Sequence, residues 1–199
     1  MTKQDRDLTA LIGSRICHDL ISPLGAIGNG VELLQLSGLG DSPEMALIAE
    51  SVANANLRIR FFRVAFGAAA EGQSLAEREI RAVLAPGADG RKIEYDWQPA
   101  GDLPRMEVKL AFLALQCFET AMPWGGQVTI TRQDGRWTMS ARGDRLNVNA
   151  DLWSLLSTAN AEIDVPPAQV HFALIRPELQ RQKRAAVVQT TDQTITLSF

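Results

Sequence analysis

Along the first third of the chain, Leu8, Ile12, Ile16, Leu20, Leu24, Ile27, Val31 and Leu34 recur at three- and four-residue steps. That spacing predicts an amphipathic helix over about residues 8–36. Ser37-Gly38-Leu39-Gly40-Asp41 breaks it, and Ser42-Pro43-Glu44 restarts a helix with an N-cap, a first-turn proline and a favourable acid. Met45, Ile48, Val52, Ala55, Ile59, Phe62 and Phe66 then follow a heptad seam, so a second helix should run to about residue 70, with Gly72 as a stop. The short loop makes the helices antiparallel neighbours. Such a hairpin leaves apolar strips exposed. Pairing two chains into a four-helix bundle covers them, so an obligate homodimer is expected. Packing of the stripe on the chain's own second half is the alternative.

After Gln73-Ser74 the period changes. Ser74-Leu75-Ala76-Glu77 reads as a capping box opening a helix through about Leu84. Pro86 to Gly90 reads as a loop and Lys92 to Trp97 as a strand, followed by a helix over about residues 107–121. Gln127–Arg132 and Trp137–Ala141 alternate around Asp134-Gly135, a hairpin signal. A short helix near residues 151–156, a helix over about 168–180 and strands near 185–189 and 194–199 complete the pattern. The fold class is α+β: a helical hairpin over residues 1–72 and an α/β sandwich over residues 73–199.

Composition narrows the function. The 199 residues carry 20 basic and 23 acidic side chains, net −3, which gives no electrostatic case for nucleic acid. Met1 to Ala10 lacks the apolar core of a signal peptide, and no apolar run approaches the ~18 residues of a membrane span. Cys17 and Cys117 have no metal-ligand spacing. A cytoplasmic protein without a metal of its own or a membrane partner is expected.

The candidate chemistry lies on the first helix. His18 is two residues from both Ile16 and Leu20, about 200° of helix rotation, so it should point away from the apolar stripe. Ser14, Ser22 and Gly25 are small neighbours that leave the imidazole open to a large partner. An imidazole titrating near neutrality is a usable nucleophile, and Asp19 can orient it. Pro23 should kink the helix below, and Ile21 lies on the flank of the histidine face.

The string Arg15-Ile16-Cys17-His18-Asp19-Leu20-Ile21-Ser22-Pro23, with Ala26-Ile27 following, resembles the H-box of histidine-kinase dimerisation domains. More closely, it resembles the ChpT-type histidine phosphotransferases of alphaproteobacterial phosphorelays. The second half resembles the GHKL ATP-binding domain of histidine kinases, with Glu119 to Ile130 like the end of the N-box helix and its following strand. That family's Mg²⁺-holding Asn falls at Cys117. Where the first glycine box should lie stands Ala141-Arg142-Gly143-Asp144-Arg145-Leu146, and where the second should lie stands Val165-Pro166-Pro167-Ala168. No loop offers the glycines that cradle phosphates, so no ATP binding and no kinase activity are expected.

The resemblance implies a phosphotransferase that relays a phosphoryl group through phosphohistidine between receiver-domain aspartates. Its partners would be receivers of response regulators and of a hybrid histidine kinase, which bring the Mg²⁺. His18 and Asp19 are the catalytic candidates. Arg15, Ile21, Ser22, Gly25 and Asn29 are candidates for phosphoryl or partner contact. Arg15 would meet phosphate or an acidic receiver rim, or be a solvated charge. Ser22 would bond a phosphoryl oxygen or cap the kink. Gly28 and Gly30 read as close-packing sites in the dimer or against a receiver. The alternative function is a non-catalytic dimeric docking regulator. His171 reads as a surface bystander, Trp124, Trp137 and Trp153 as packing, and Arg176, Arg181, Lys183 and Arg184 as a solvated basic face.

Overall fold

A computed structural model describes residues 3–38, 42–85, 92–158 and 164–199, with side chains described from residue 9. Its contacts divide the described chain into two compact units, with the division between Ala68 and Ala69.

The first unit is a helical hairpin of α1 (Lys3–Leu36) and α2 (Pro43–Phe66). The first helix begins five residues before its expected start and passes through Pro23 without losing helical assignment. Ser42 caps α2 as expected, its hydroxyl accepting from the Met45 N–H at 3.2 Å. The second helix ends at Phe66 rather than near residue 70. There the Gly67 N–H returns to the Arg63 carbonyl, and Ser14 Oγ accepts the next N–H, from Ala68, at 2.9 Å. These bonds satisfy donors that a longer helix would have used.

Side-chain burial corrects the expected stripe. Cys17 and Val31 are buried, and Ser14, Ile21, Leu24 and Gly28 are half-buried, which traces a seam at steps of three and four. A Cβ on Gly13 would meet Phe66, and one on Gly28 would lie 3.5 Å from Val52 Cγ1, so this seam packs on α2 in antiparallel register. Ile12, Ile16, Leu20, Ile27 and Leu34 lie outside it, and Ile12 keeps 58% of its surface exposed. Along α2 the fully buried residues are Phe61, Val64 and Ala65, whereas Phe62 and Phe66 of the expected seam are half-buried and Ile48 is exposed. The Arg58 guanidinium lies over the Phe61 and Phe62 rings.

The second unit contains β1 (Ser74–Leu75), α3 (Glu77–Leu84), β2 (Ile93–Trp97), β3 (Leu103–Pro104) and α4 (Arg105–Ala121). It continues through β4 (Gly126–Gln133), β5 (Arg136–Arg142), α5 (Ala150–Ser157), α6 (Val170–Arg181), β6 (Val187–Thr190) and β7 (Thr194–Ser198). The expected loop at Pro86 to Gly90 lies outside the described residues. Five strands form a mixed sheet in the order β2-β4-β5-β7-β6, with β2 and β4 parallel and the other pairs antiparallel. Asp134 and Gly135 join β4 to β5 with φ of 49° and 77°, the positive pair a tight hairpin turn requires. Alternation puts Val128, Ile130, Trp137, Met139, Ile195 and Leu197 into the core, while Thr129, Thr131 and Ser140 face away.

The capping box at Ser74 does not form. Ser74–Leu75 pairs with Leu103–Pro104 instead, and α3 starts after Ala76 without a side-chain cap. Glu77 bonds the Arg81 guanidinium and the Gly101 N–H, both at 2.6 Å. The third site of fixation is Glu107 on α4. It accepts from Trp137 Nε1 at 2.7 Å and Arg132 Nε at 3.0 Å, and lies 3.2 Å from Arg184 Nη2. Lys109, buried on the same helix, pairs with Glu178 of α6 at 2.9 Å, and Arg181 meets the same carboxylate at 2.8 Å. Arg181 and Arg184 therefore brace the core, which corrects their reading as a solvated face.

Burial acts to raise the Glu107 carboxyl, but the bonds from Arg132 and Trp137 and the nearby guanidinium charges outweigh it and hold the group below its ordinary value. A carboxylate with a depressed folded value contributes stability above its unfolded value and loses it as pH falls through the folded one. Glu107→Gln should therefore cost about 2 kcal/mol at neutral pH. In urea unfolding the gap from wild type should narrow as pH falls from the ordinary carboxylate range through the lowered Glu107 value.

Candidate functional site

Cys17 fixes the site by facing the other way. It is 6% exposed in the α1–α2 seam, and burial pushes its thiol above the usual range, with Arg63 opposing. The next residue is turned about 100° outward. The His18 side chain is 81% exposed, as the residue pattern required. Its Nδ1 lies 3.3 Å from Asp19 Oδ1, and the other oxygen of that carboxylate accepts from Arg15 Nε at 2.8 Å. The His18 contact foremost, with the Arg15 guanidinium assisting, holds the Asp19 carboxyl below its ordinary value. An ionised carboxylate only accepts hydrogen bonds. A neutral His18 ring bonded to it therefore carries its proton on Nδ1 and turns the Nε2 lone pair to solvent.

The remaining candidates divide. Ser22 and Asn29 are exposed on the same side of α1, and Ser22 makes no hydrogen bond with a described residue. Gly25 is half-buried, and a Cβ there would meet nothing within 4 Å, so this stretch offers an open shallow surface. Ile21 is half-buried at the edge of the seam, nearer α2 than the flank reading placed it. Ser14 is not an idle small neighbour, because its hydroxyl caps the end of α2. A Cβ on Gly28 would meet Val52 of its own hairpin at an ordinary 3.5 Å, and Gly30 faces open space, so neither glycine is held by close packing among the described residues. The Arg15–Asp19 bond was missed by the sequence reading, although the four-residue separation of opposite charges is its signal. Among the described residues no group of three acidic, histidine or cysteine side chains is placed to hold a metal. Nor is any helix there long and apolar enough to cross a membrane.

In the second unit Cys117 is fully buried, and burial drives its thiol well above its usual range. Phe118, Trp153 and Phe172 pack ring against ring across α4, α5 and α6. His171 is not a bystander: it is 4% exposed, with Nε2 3.1 Å from Thr120 Oγ1. Trp137 and Trp153 are core residues, whereas Trp124 is half-exposed with the Arg145 guanidinium 4.0 Å over its ring. Arg142, Gly143, Asp144 and Arg145 line an open cleft of about 550 Å³ with Lys92 and Glu94. The N–H groups of Gly125, Gly126 and Gly143 are already bonded to carbonyls of Met122, Lys92 and Gln193.

Residues 77–194 match the family model of the histidine phosphotransferase C-terminal domain. Over 180 residues, 86% of each chain, the sequence is 38% identical to the protein phosphotransferase ChpT of Brucella abortus (strain 2308). The chain belongs to the histidine phosphotransferase family. A 1.7 Å structure of a bacterial phosphotransferase superposes with a TM-score of 0.68 at 28% identity, covering 100% of this chain and 97% of that one. Full-length ShkA solved with AMPPNP aligns over 94% of this chain and 44% of its own, at 18% identity and a TM-score of 0.48. That last likeness is too loose to carry weight. Membership in the histidine phosphotransferase family agrees with the resemblance read in the sequence and with the α+β architecture. The family match itself falls on the second unit, while the 38% likeness to ChpT extends over most of the chain.

Proposed function

We propose that this family member relays a phosphoryl group through His18 between receiver-domain aspartates. The observation that carries the reading is the placement of His18: an open imidazole, directed outward, with Nδ1 against a carboxylate and Nε2 free. In the first step the Nε2 lone pair forms a bond to the phosphorus of a receiver's phospho-aspartate. The bond from phosphorus to the aspartyl oxygen breaks, and its electron pair returns to the receiver's carboxylate. The ring becomes positively charged, and Asp19 balances that charge. A second receiver's carboxylate then attacks the phosphorus, and the electron pair of the N–P bond returns to His18. The loose transition state asks for alignment and charge neutralisation, which receivers supply with their Mg²⁺ and lysine.

Arg15, Ile21, Ser22, Gly25 and Asn29 would form the surface under a docked receiver. The terminal nitrogens of Arg15 and the Ser22 hydroxyl are the groups available to a phosphoryl oxygen. Receivers of response regulators and of a hybrid kinase are the proposed partners, in the cytoplasm. Neither nucleic acid nor a membrane has a part. The second unit would neither bind ATP nor act as a kinase, consistent with the committed glycine N–H groups and the buried Cys117.

The hairpin would dimerise through Ile12, Ile16, Leu20 and Ile27 into a four-helix bundle, since each of these keeps about half its surface exposed. Ile16→Glu places a charge in that face and should give a monomer in light scattering where wild type gives a dimer. A monomeric wild type would remove the bundle.

Incubation with a phosphorylated receiver should leave an acid-labile, alkali-stable label on wild type and none on His18→Ala. Absence of label on both, with several receivers tried, would favour a docking regulator that never carries phosphate.

A further inference from the structure

We propose that Arg15 is a positioning residue for His18, acting through Asp19. This rests on the reading of His18 as the phosphoryl carrier. One carboxylate is held at both of its oxygens: Oδ2 accepts from Arg15 Nε at 2.8 Å and Oδ1 lies 3.3 Å from His18 Nδ1. Among the described residues these are the only side-chain bonds Asp19 makes. Asp19 is half-exposed, so these two bonds are the polar restraints on its carboxylate among the described residues. Without Arg15 the carboxylate is free to swing into water and release the ring, which then exchanges its proton between Nδ1 and Nε2. Each molecule with the proton on Nε2 has lost the lone pair that attacks phosphorus.

Helix support does not explain the pair. An acid placed four residues before a base is the favoured order on a helix, and here the base comes first. Exposed pairs also contribute little to folding. A guanidinium suits the positioning task better than an ammonium, because its donors are fixed in one plane. Donating from Nε leaves both terminal nitrogens without a bond to a described residue, on a side chain that is 77% exposed. One side chain can thereby orient Asp19 and still meet an approaching phosphoryl group.

The chain has only two histidines, so ¹⁵N spectra of the rings are simple to assign, and buried His171 serves as the internal control. At a pH where His18 is neutral, wild type should show the proton mainly on Nδ1. Arg15→Ala should move it toward an even mixture, Arg15→Lys should fall between, and His171 should not change. Transfer from a phosphorylated receiver should slow about threefold to fivefold in kcat, the range an exposed ion pair can supply. In an Asp19→Asn background, Arg15→Ala should add nothing further to either readout. An Arg15→Ala ring spectrum identical to wild type would overturn the proposal, and a raised KM beside it would assign Arg15 to phosphoryl or receiver contact alone. A wild type that accepts no phosphoryl group would sink the carrier reading, a result separable from the spectra.

Discussion

The structure of the first unit depends on how closely two helices approach along one seam. A Cβ on Gly13 would press on Phe66 at the end of α2, and Ser14 is small enough to reach into that end. Close approach buries Cys17 between the helices. Burial at position 17 then dictates the positions of 18 and 19, because consecutive helical residues are separated by about 100°. His18 and Asp19 are outward for a geometric reason set by their neighbour. The chemistry follows: an exposed ring in contact with an ionised carboxylate has one nitrogen occupied and one available.

The second unit is held by different physics. Glu107 collects Trp137, Arg132 and Arg184 at one carboxylate, tying α4 to the hairpin of β4 and β5 and to the segment after α6. Lys109 and Glu178 repeat the device between α4 and α6. Such pairs are costly to break once buried. The rings of Phe118, Trp153 and Phe172 fill the space between the helices. Among the described residues, the N–H groups of Gly125, Gly126 and Gly143 are bonded within the fold.

Much of this was legible in the sequence because it is periodic or local. The two helices, the outward direction of His18, the Ser42 cap and the Asp134-Gly135 turn all follow from spacing over a few residues. The failures share a cause in tertiary competition. Ser74 was read as a cap, yet its strand pairs with residues about thirty positions away. The α1 stripe was read as one face, yet Leu24 and Val31 turn toward α2 while Ile12, Ile16 and Ile27 do not. With 100° steps, a stripe that wide spans two faces, and only the position of the neighbour divides it. Arg184 and His171 looked like surface residues because nothing local announces Glu107 or Thr120 as their partners. Arg15 is a different kind of miss, since its partner lies four residues away on its own helix.

The most direct test of the central claim follows the phosphoryl group off the protein. The full chain is phosphorylated chemically with phosphoramidate, the modified residue is mapped by mass spectrometry, and an unphosphorylated receiver with Mg²⁺ is added. The account expects the group on His18, then on the receiver's aspartate, with little inorganic phosphate released before transfer. A phosphoryl group that maps elsewhere, or that stays on His18 with every receiver tried, would contradict it.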